Sequence, residues 1–191
     1  MRAVVQAEFS PDAKFIAYTV LRYDHPGRPW PQLWVMDLAT AKSTRVGGEN
    51  DVAGSPVWSP DGHWIAYEST KSGRPEIYVQ PFPGPGAESQ ISTSGGAQVR
   101  WQRDGKGLFY IGLDERLMAV SIRVASDGHS IEVDATVPLF ATHVGGALQP
   151  ETGPLYMVSP DGRRFLMNAL QQEASTSPIT VILNWAGALK K

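Results

Sequence analysis

Short runs of apolar and alternating residues are separated along this chain by polar clusters rich in Gly, Pro, Asp and Ser. That pattern predicts strands joined by turns. One ten-residue unit recurs four times: Phe9-Ser-Pro-Asp-Ala-Lys-Phe-Ile-Ala-Tyr18, Trp58-Ser-Pro-Asp-Gly-His-Trp-Ile-Ala-Tyr67, Trp101-Gln-Arg-Asp-Gly-Lys-Gly-Leu-Phe-Tyr110 and Val158-Ser-Pro-Asp-Gly-Arg-Arg-Phe-Leu-Met167. Its start-to-start spacings are 49, 43 and 57 residues. A period of this size marks a repeat architecture, in which a recurring residue usually does the same structural job each time.

Each unit predicts a hairpin. Pro sits where φ already matches its fixed value, Asp can bond its own backbone, and Gly follows where φ must be positive. The flanking apolar residues then form the two strands. Two copies depart from this chemistry. Ala13 stands where the others have Gly and is expected to carry a small strain at positive φ. Gln102-Arg103 replaces Ser-Pro, so the third turn lacks the Pro constraint.

A third strand and usually a fourth follow each hairpin. The pattern places them at 32–38 and 42–46, at 76–82 and 88–92, at 116–124 and, after an insertion, about 137–141, with 179–185 as the third strand of the last repeat. Four short strands per unit of about 40–50 residues predict an all-β propeller. The expected blades are 1–50, 51–96, 97–146 and 147–191, within a single domain. Both ends read as cut, so a partial ring, or half of an eight-bladed ring closed by a homodimer, is expected.

Bulk composition removes several function classes. The formal charge of −2 and the lack of a basic stripe argue against nucleic acid. No apolar run is long enough to span a bilayer. Residues 1–20 lack a basic start followed by an apolar core, so no secretion signal is expected. The chain has no Cys, which excludes disulfides, thiolate catalysis and Cys-based zinc sites.

The phrases Trp58-Ser-Pro-Asp-Gly62, Ile77-Tyr-Val79 and Leu33-Trp-Val-Met-Asp-Leu38 resemble the TolB-like propeller repeat. A narrower resemblance lies in Tyr78-Val-Gln-Pro-Phe-Pro-Gly-Pro-Gly86, Arg100-Trp-Gln-Arg-Asp-Gly105 and Ile179-Thr-Val-Ile-Leu-Asn-Trp185, which are similar to the C-terminal propeller of certain bacterial serine/threonine kinases. The resemblance implies a sensor or interaction module, outside the cytoplasm if attached to a membrane kinase. The sequence carries neither a Gly-rich phosphate loop nor a His-Arg-Asp catalytic loop.

Candidate chemistry is sparse. Peptidase propellers carry similar repeats, but the nucleophile elbow Gly-x-Ser-x-Gly is missing. His25, His63, His129 and His143 are scattered, and His63 reads as a solvated turn residue. Asp12, Asp61, Asp104 and Asp161 each read as the cap of their own hairpin. Trp34, Trp58, Trp64, Trp101 and Trp185 read as blade packing, in preference to a carbohydrate platform. Trp30 differs: it lies in the longest insertion between second and third strands, with Tyr23, Asp24, His25 and Arg28. Loops held by a rigid scaffold often carry binding. These loops and those joining successive blades emerge on one face, which would collect Tyr23, His25, Arg28, Trp30, Asp51 and His143. No spacing rule supports a metal site at Asp24, His25 and Asp51.

The expected function is therefore non-catalytic: a module that binds a protein or small-molecule ligand, with no cofactor implied. The alternatives are the propeller cap of a prolyl-oligopeptidase-type serine peptidase and a stand-alone sugar- or peptide-binding protein.

Overall fold

The computed structural model describes residues 2–23, 30–48, 51–84, 86–148, 153–170 and 180–182. Four antiparallel sheets follow one another in chain order. The first holds β1 (Arg2–Phe9), β2 (Phe15–Arg22), β3 (Trp30–Asp37) and β4 (Ser43–Val46). The second holds β5 (Ala53–Trp58), β6 (Trp64–Ser69), β7 (Glu76–Pro81) and β8 (Ser89–Gln90). The third holds β9 (Ala97–Trp101), β10 (Gly107–Ile111), β11 (Arg116–Val124) and β12 (Ile131–Ala141). The last holds β13 (Tyr156–Val158), β14 (Phe165–Met167) and β15 (Thr180–Ile182). Strand order in each sheet is sequence order, so every sheet is an up-and-down meander.

The four repeated turns are built alike. In the first, Ser10 N–H bonds Phe15 O at 2.9 Å, and Ala13 N–H bonds Ser10 O at 2.8 Å. The Asp12 carboxylate accepts from the Ser10 hydroxyl at 2.7 Å and Lys14 N–H at 3.1 Å. Ser10 Oγ in turn accepts from Phe15 N–H. Ser59/Asp61 and Ser159/Asp161 repeat this relay. In the third turn Gln102 takes the Ser place: both backbone bonds remain, but of the side-chain relay only the bond from Lys106 N–H to the Asp104 carboxylate survives. Ala13 has φ of 54°, where the other copies place Gly62, Gly105 and Gly162, so the anticipated strain is present.

The third repeat corrects the sequence reading. There is no insertion before its fourth strand. Ser126-Asp127-Gly128 closes a tight turn, with Asp127 accepting from His129 N–H at 2.8 Å, and β12 begins at Ile131. An Asp-Gly turn signal was present but lay between strands too polar to read as one hairpin; β12 is mostly exposed because it is the outer strand.

Three apolar layers lie between the four sheets. Ala17, Leu33 and Val35 of the first sheet meet Trp58, Ile65 and Tyr67 of the second. Ala66, Ile77 and Val79 meet Trp101, Leu108 and Tyr110. Phe109, Ile111 and Leu117 meet Tyr156, Phe165 and Met167. Each of the two inner sheets thus buries alternate residues towards the sheet before and the sheet after. Two indoles stitch the layers: Trp58 Nε1 donates to Glu8 O at 3.2 Å, and Trp101 Nε1 donates to Val57 O at 3.0 Å.

Phe9 occupies the same repeat position as Trp58 and Trp101, yet it is 61% exposed while they are 4% and 9%. No sheet stands in front of it among the described residues. Trp34 shares that uncovered face and is half-buried, so it is not packed between blades as anticipated. With Val4, Tyr18 and Val20 it lines an open cleft of about 360 Å³. At the other end Met157 (62%) and Leu166 (43%) are exposed. Their repeat counterparts, Val57 and Ala66, pack against the next sheet. Trp185 lies outside the described residues.

Candidate functional site

Of the innermost strands β1, β5, β9 and β13, two carry a feature that the repeat unit does not. β5 and β9 contain an irregularity in their pairing, at Gly54/Val57 and at the Ala97 end of β9, where Ser55 and Gln98 have φ of 55° and 58°. Such a bulge turns a backbone N–H out of its ladder. That N–H is received by the sheet before: Ser55 N–H bonds Thr19 Oγ1 at 3.2 Å, and Gln98 N–H bonds Glu68 Oε1 at 2.8 Å. In the last sheet Leu155 N–H bonds Gln98 Oε1 at 3.1 Å. Glu68 therefore has a structural task, the same one as Thr19.

Four titratable groups from four sheets gather along this inner edge: Glu8 (β1), Glu68 (β6), Arg100 (β9) and Tyr156 (β13). Burial raises the Glu8 carboxyl to about 7, against the opposing pull of the Arg100 charge and of Trp58 N–H. Burial likewise raises Glu68 to about 7, opposed by Gln98 N–H, the Ser55 hydroxyl and Arg100. Burial raises the Tyr156 phenol strongly; Arg100 works against that shift and Glu68 adds to it. The Arg100 guanidinium lies 5.8 Å from the centre of the Tyr156 ring, within the range of a cation–π contact. Its Nη1 donates to Val99 O at 2.6 Å. Among the described residues no carboxylate stands within ion-pair distance of Arg100, and the Tyr156 hydroxyl has no hydrogen-bond partner.

This has a consequence for stability. Both glutamates bind protons more tightly in the fold, near pH 7, than at their ordinary 4.5. The folded state then holds more protons than the unfolded one between those values. The stability they contribute is complete below about 4.5 and is lost as pH rises to about 7. Glu68→Gln keeps an oxygen for Gln98 N–H but cannot ionise. Its melting temperature should fall less between about pH 5 and pH 8 than that of the parent protein; an identical slope would rule out the raised carboxyl.

The loop residues singled out by sequence are less concentrated. Tyr23 is exposed just after β2, and Trp30 is half-buried at the start of β3. Asp51 follows β4 at the same end of that sheet, but its carboxylate accepts Gly48 N–H at 2.7 Å and its carbonyl accepts from Arg45 Nη2, which closes its own loop. His143 is exposed in the loop after β12, with φ of 53°, and its carbonyl accepts Leu170 N–H. Asp24, His25 and Arg28 lie outside the described residues. Among the described residues no three His, Asp or Glu side chains converge as a metal-binding group.

Sequence reasoning missed the inner-edge cluster. The signal was a break in the repeat: the position before the first residue of the unit is Glu8, Val57, Arg100 and Met157. Two opposite charges stand in a slot that is otherwise apolar.

Comparison with known proteins agrees with this architecture. The chain is 33% identical over 97 residues to Tricorn protease homolog 1 of Streptomyces coelicolor, covering 46% of this chain and 9% of that protein. It is 31% identical over 70 residues to the Tol-Pal system protein TolB of Alcanivorax borkumensis, covering 37% of this chain and 15% of that protein. The chain thus spans a small part of the length of both relatives. The crystal structure of TolB from Acinetobacter baumannii superimposes with a TM-score of 0.63 at 18% identity, over 93% of this chain and 40% of that one. The PD40 family model, TolB beta propeller domain, matches residues 3–174. With its four meander sheets and their repeated turns, the chain belongs to the TolB beta propeller domain family.

Proposed function

We propose that this chain is a non-catalytic interaction or ligand-sensing segment of a larger propeller protein, TolB-like or kinase-linked. The observation that carries the reading is the inner-edge cluster: three sheets each supply one group around Arg100 of the remaining sheet, and among the described residues that Arg has no carboxylate partner. Residues that serve only the fold would be expected to pair with one another. The absence of a nucleophile elbow and of a phosphate loop from the sequence supports a binding role over turnover. The kinase-linked part of the reading rests on the resemblance of 78–86 and 100–105. The loop-bearing end of the sheets, with Tyr23, Trp30 and His143, offers a second surface for a partner.

The identity to Tricorn protease homolog 1 favours one other reading, the propeller portion of a serine peptidase. Both readings expect the purified chain to turn over no chromogenic ester, peptide or ATP. Turnover that survives extensive purification and disappears on mutation of a single Ser would defeat them. The coding sequence adjacent to this segment separates them, since one expects a peptidase domain and the other a kinase or TolB-like domain.

A further inference from the structure

We propose that the inner edge of the arc binds a carboxylate group, held by the guanidinium of Arg100 above the ring of Tyr156. The inference rests on the reading of this edge as a binding surface and names what it binds. Three observations support it. Arg100 is only partly buried, and its one hydrogen bond to a described residue uses one of its five N–H donors. Tyr156 beneath it is only 1% exposed, yet its hydroxyl donates to nothing among the described residues. A buried polar group left in that state calls for an explanation, and a bound molecule that supplies the partner is one. The two glutamates are the third observation.

The titratable groups within the field of Arg100 are Glu8 from β1, Glu68 from β6 and Tyr156 from β13. When both glutamates are protonated the edge carries the single positive charge of Arg100 and several donors. That matches a monoanion with two oxygens, which a guanidinium grips through a two-point fork. Once both glutamates ionise, the edge is net negative and repels an anion. Binding is therefore tighter at about pH 6 than at about pH 8.

The test is isothermal titration of the full chain with an acetylated hexaglutamate peptide, its hexaglutamine counterpart, succinate and inorganic phosphate. Hexaglutamate or succinate should bind at about pH 6, hexaglutamine should not, and Arg100→Gln should weaken binding at least about tenfold. Which of the two binds more tightly tells whether the carboxylate belongs to a peptide segment or to a small free acid. Should Arg100→Gln fail to fold, Arg100→Lys keeps the charge without the fork and should weaken binding by a smaller factor. Tyr156→Phe removes a hydroxyl with no partner among the described residues, so it should fold as the parent does and bind a few-fold more weakly. Equal binding of hexaglutamine, preference for phosphate, affinity unchanged in the Arg100 variants, or no heat with any probe would each overturn the carboxylate assignment. Phosphate binding that depends on Arg100 would overturn the carboxylate alone and leave the binding role standing. Consumption of a probe would overturn the binding role itself.

Discussion

Trp101→Ala should destabilise the folded chain by about 3–5 kcal/mol, a large part of the stability of a single domain. Trp101 fills the layer between the second and third sheets beside Trp64, Leu108 and Tyr110, and its indole N–H holds the Val57 carbonyl of the neighbouring sheet. The alanine leaves both a cavity and an orphaned carbonyl. Trp101→Phe retains most of the packing and loses the stitch, so its cost should be about 1–2 kcal/mol. Chemical denaturation of the two variants checks the pair. Phe9→Ala supplies the contrast, because Phe9 holds the same repeat position and, among the described residues, meets no preceding sheet; its effect should stay within about 1 kcal/mol. Equal losses at positions 9 and 101 would mean that the first sheet's outer face is covered in solution.

The second large effect concerns that face. Phe9, Val4 and the half-buried Tyr18 and Trp34 form an apolar surface at one end of the arc, and Met157 and Leu166 form another at the opposite end. In the three internal layers residues at these same positions are covered by a neighbouring sheet. Surfaces of this kind associate unless something covers them. Light scattering coupled to size exclusion should therefore find the isolated chain self-associated. A clean dimer would match closure of an eight-bladed ring by two copies, since a rotation that closes gives a finite assembly. Larger, concentration-dependent species would match blades supplied by the remainder of a longer polypeptide. Phe9→Lys with Leu166→Lys should shift either population towards monomer, because a buried unpaired Lys is costly. A stable monomer of 20.8 kDa in the unmodified chain would exclude both.

How much of this was legible beforehand depends on the range of the interaction. The turns were: Ser, Pro, Asp and Gly act on their own backbone, and three of the four hairpins close through the same Ser–Asp relay. Ala13 was identifiable as the strained copy for the same local reason, and its φ is positive. The Trp repeats were correctly assigned to packing at positions 58, 64 and 101, because periodic burial follows from a strand's alternation. Trp34 was not, because its environment depends on whether a sheet lies in front of it, and no local pattern encodes a neighbour.

The inner-edge cluster shows the same boundary more sharply. Glu8, Glu68, Arg100 and Tyr156 are spread over most of the chain, and nothing in their spacing links them. They meet where bulges at Ser55 and Gln98 fix how β5 and β9 address the sheet before them. Their shifted protonation follows from burial, which exists only once four sheets are stacked. The amino-acid sequence thus determined the repeat, the strand–turn alternation and the propeller class, all of which rest on interactions a few residues long. The tertiary structure alone decided which faces are left open and which charged groups converge, because both depend on the angle and order in which separate sheets pack.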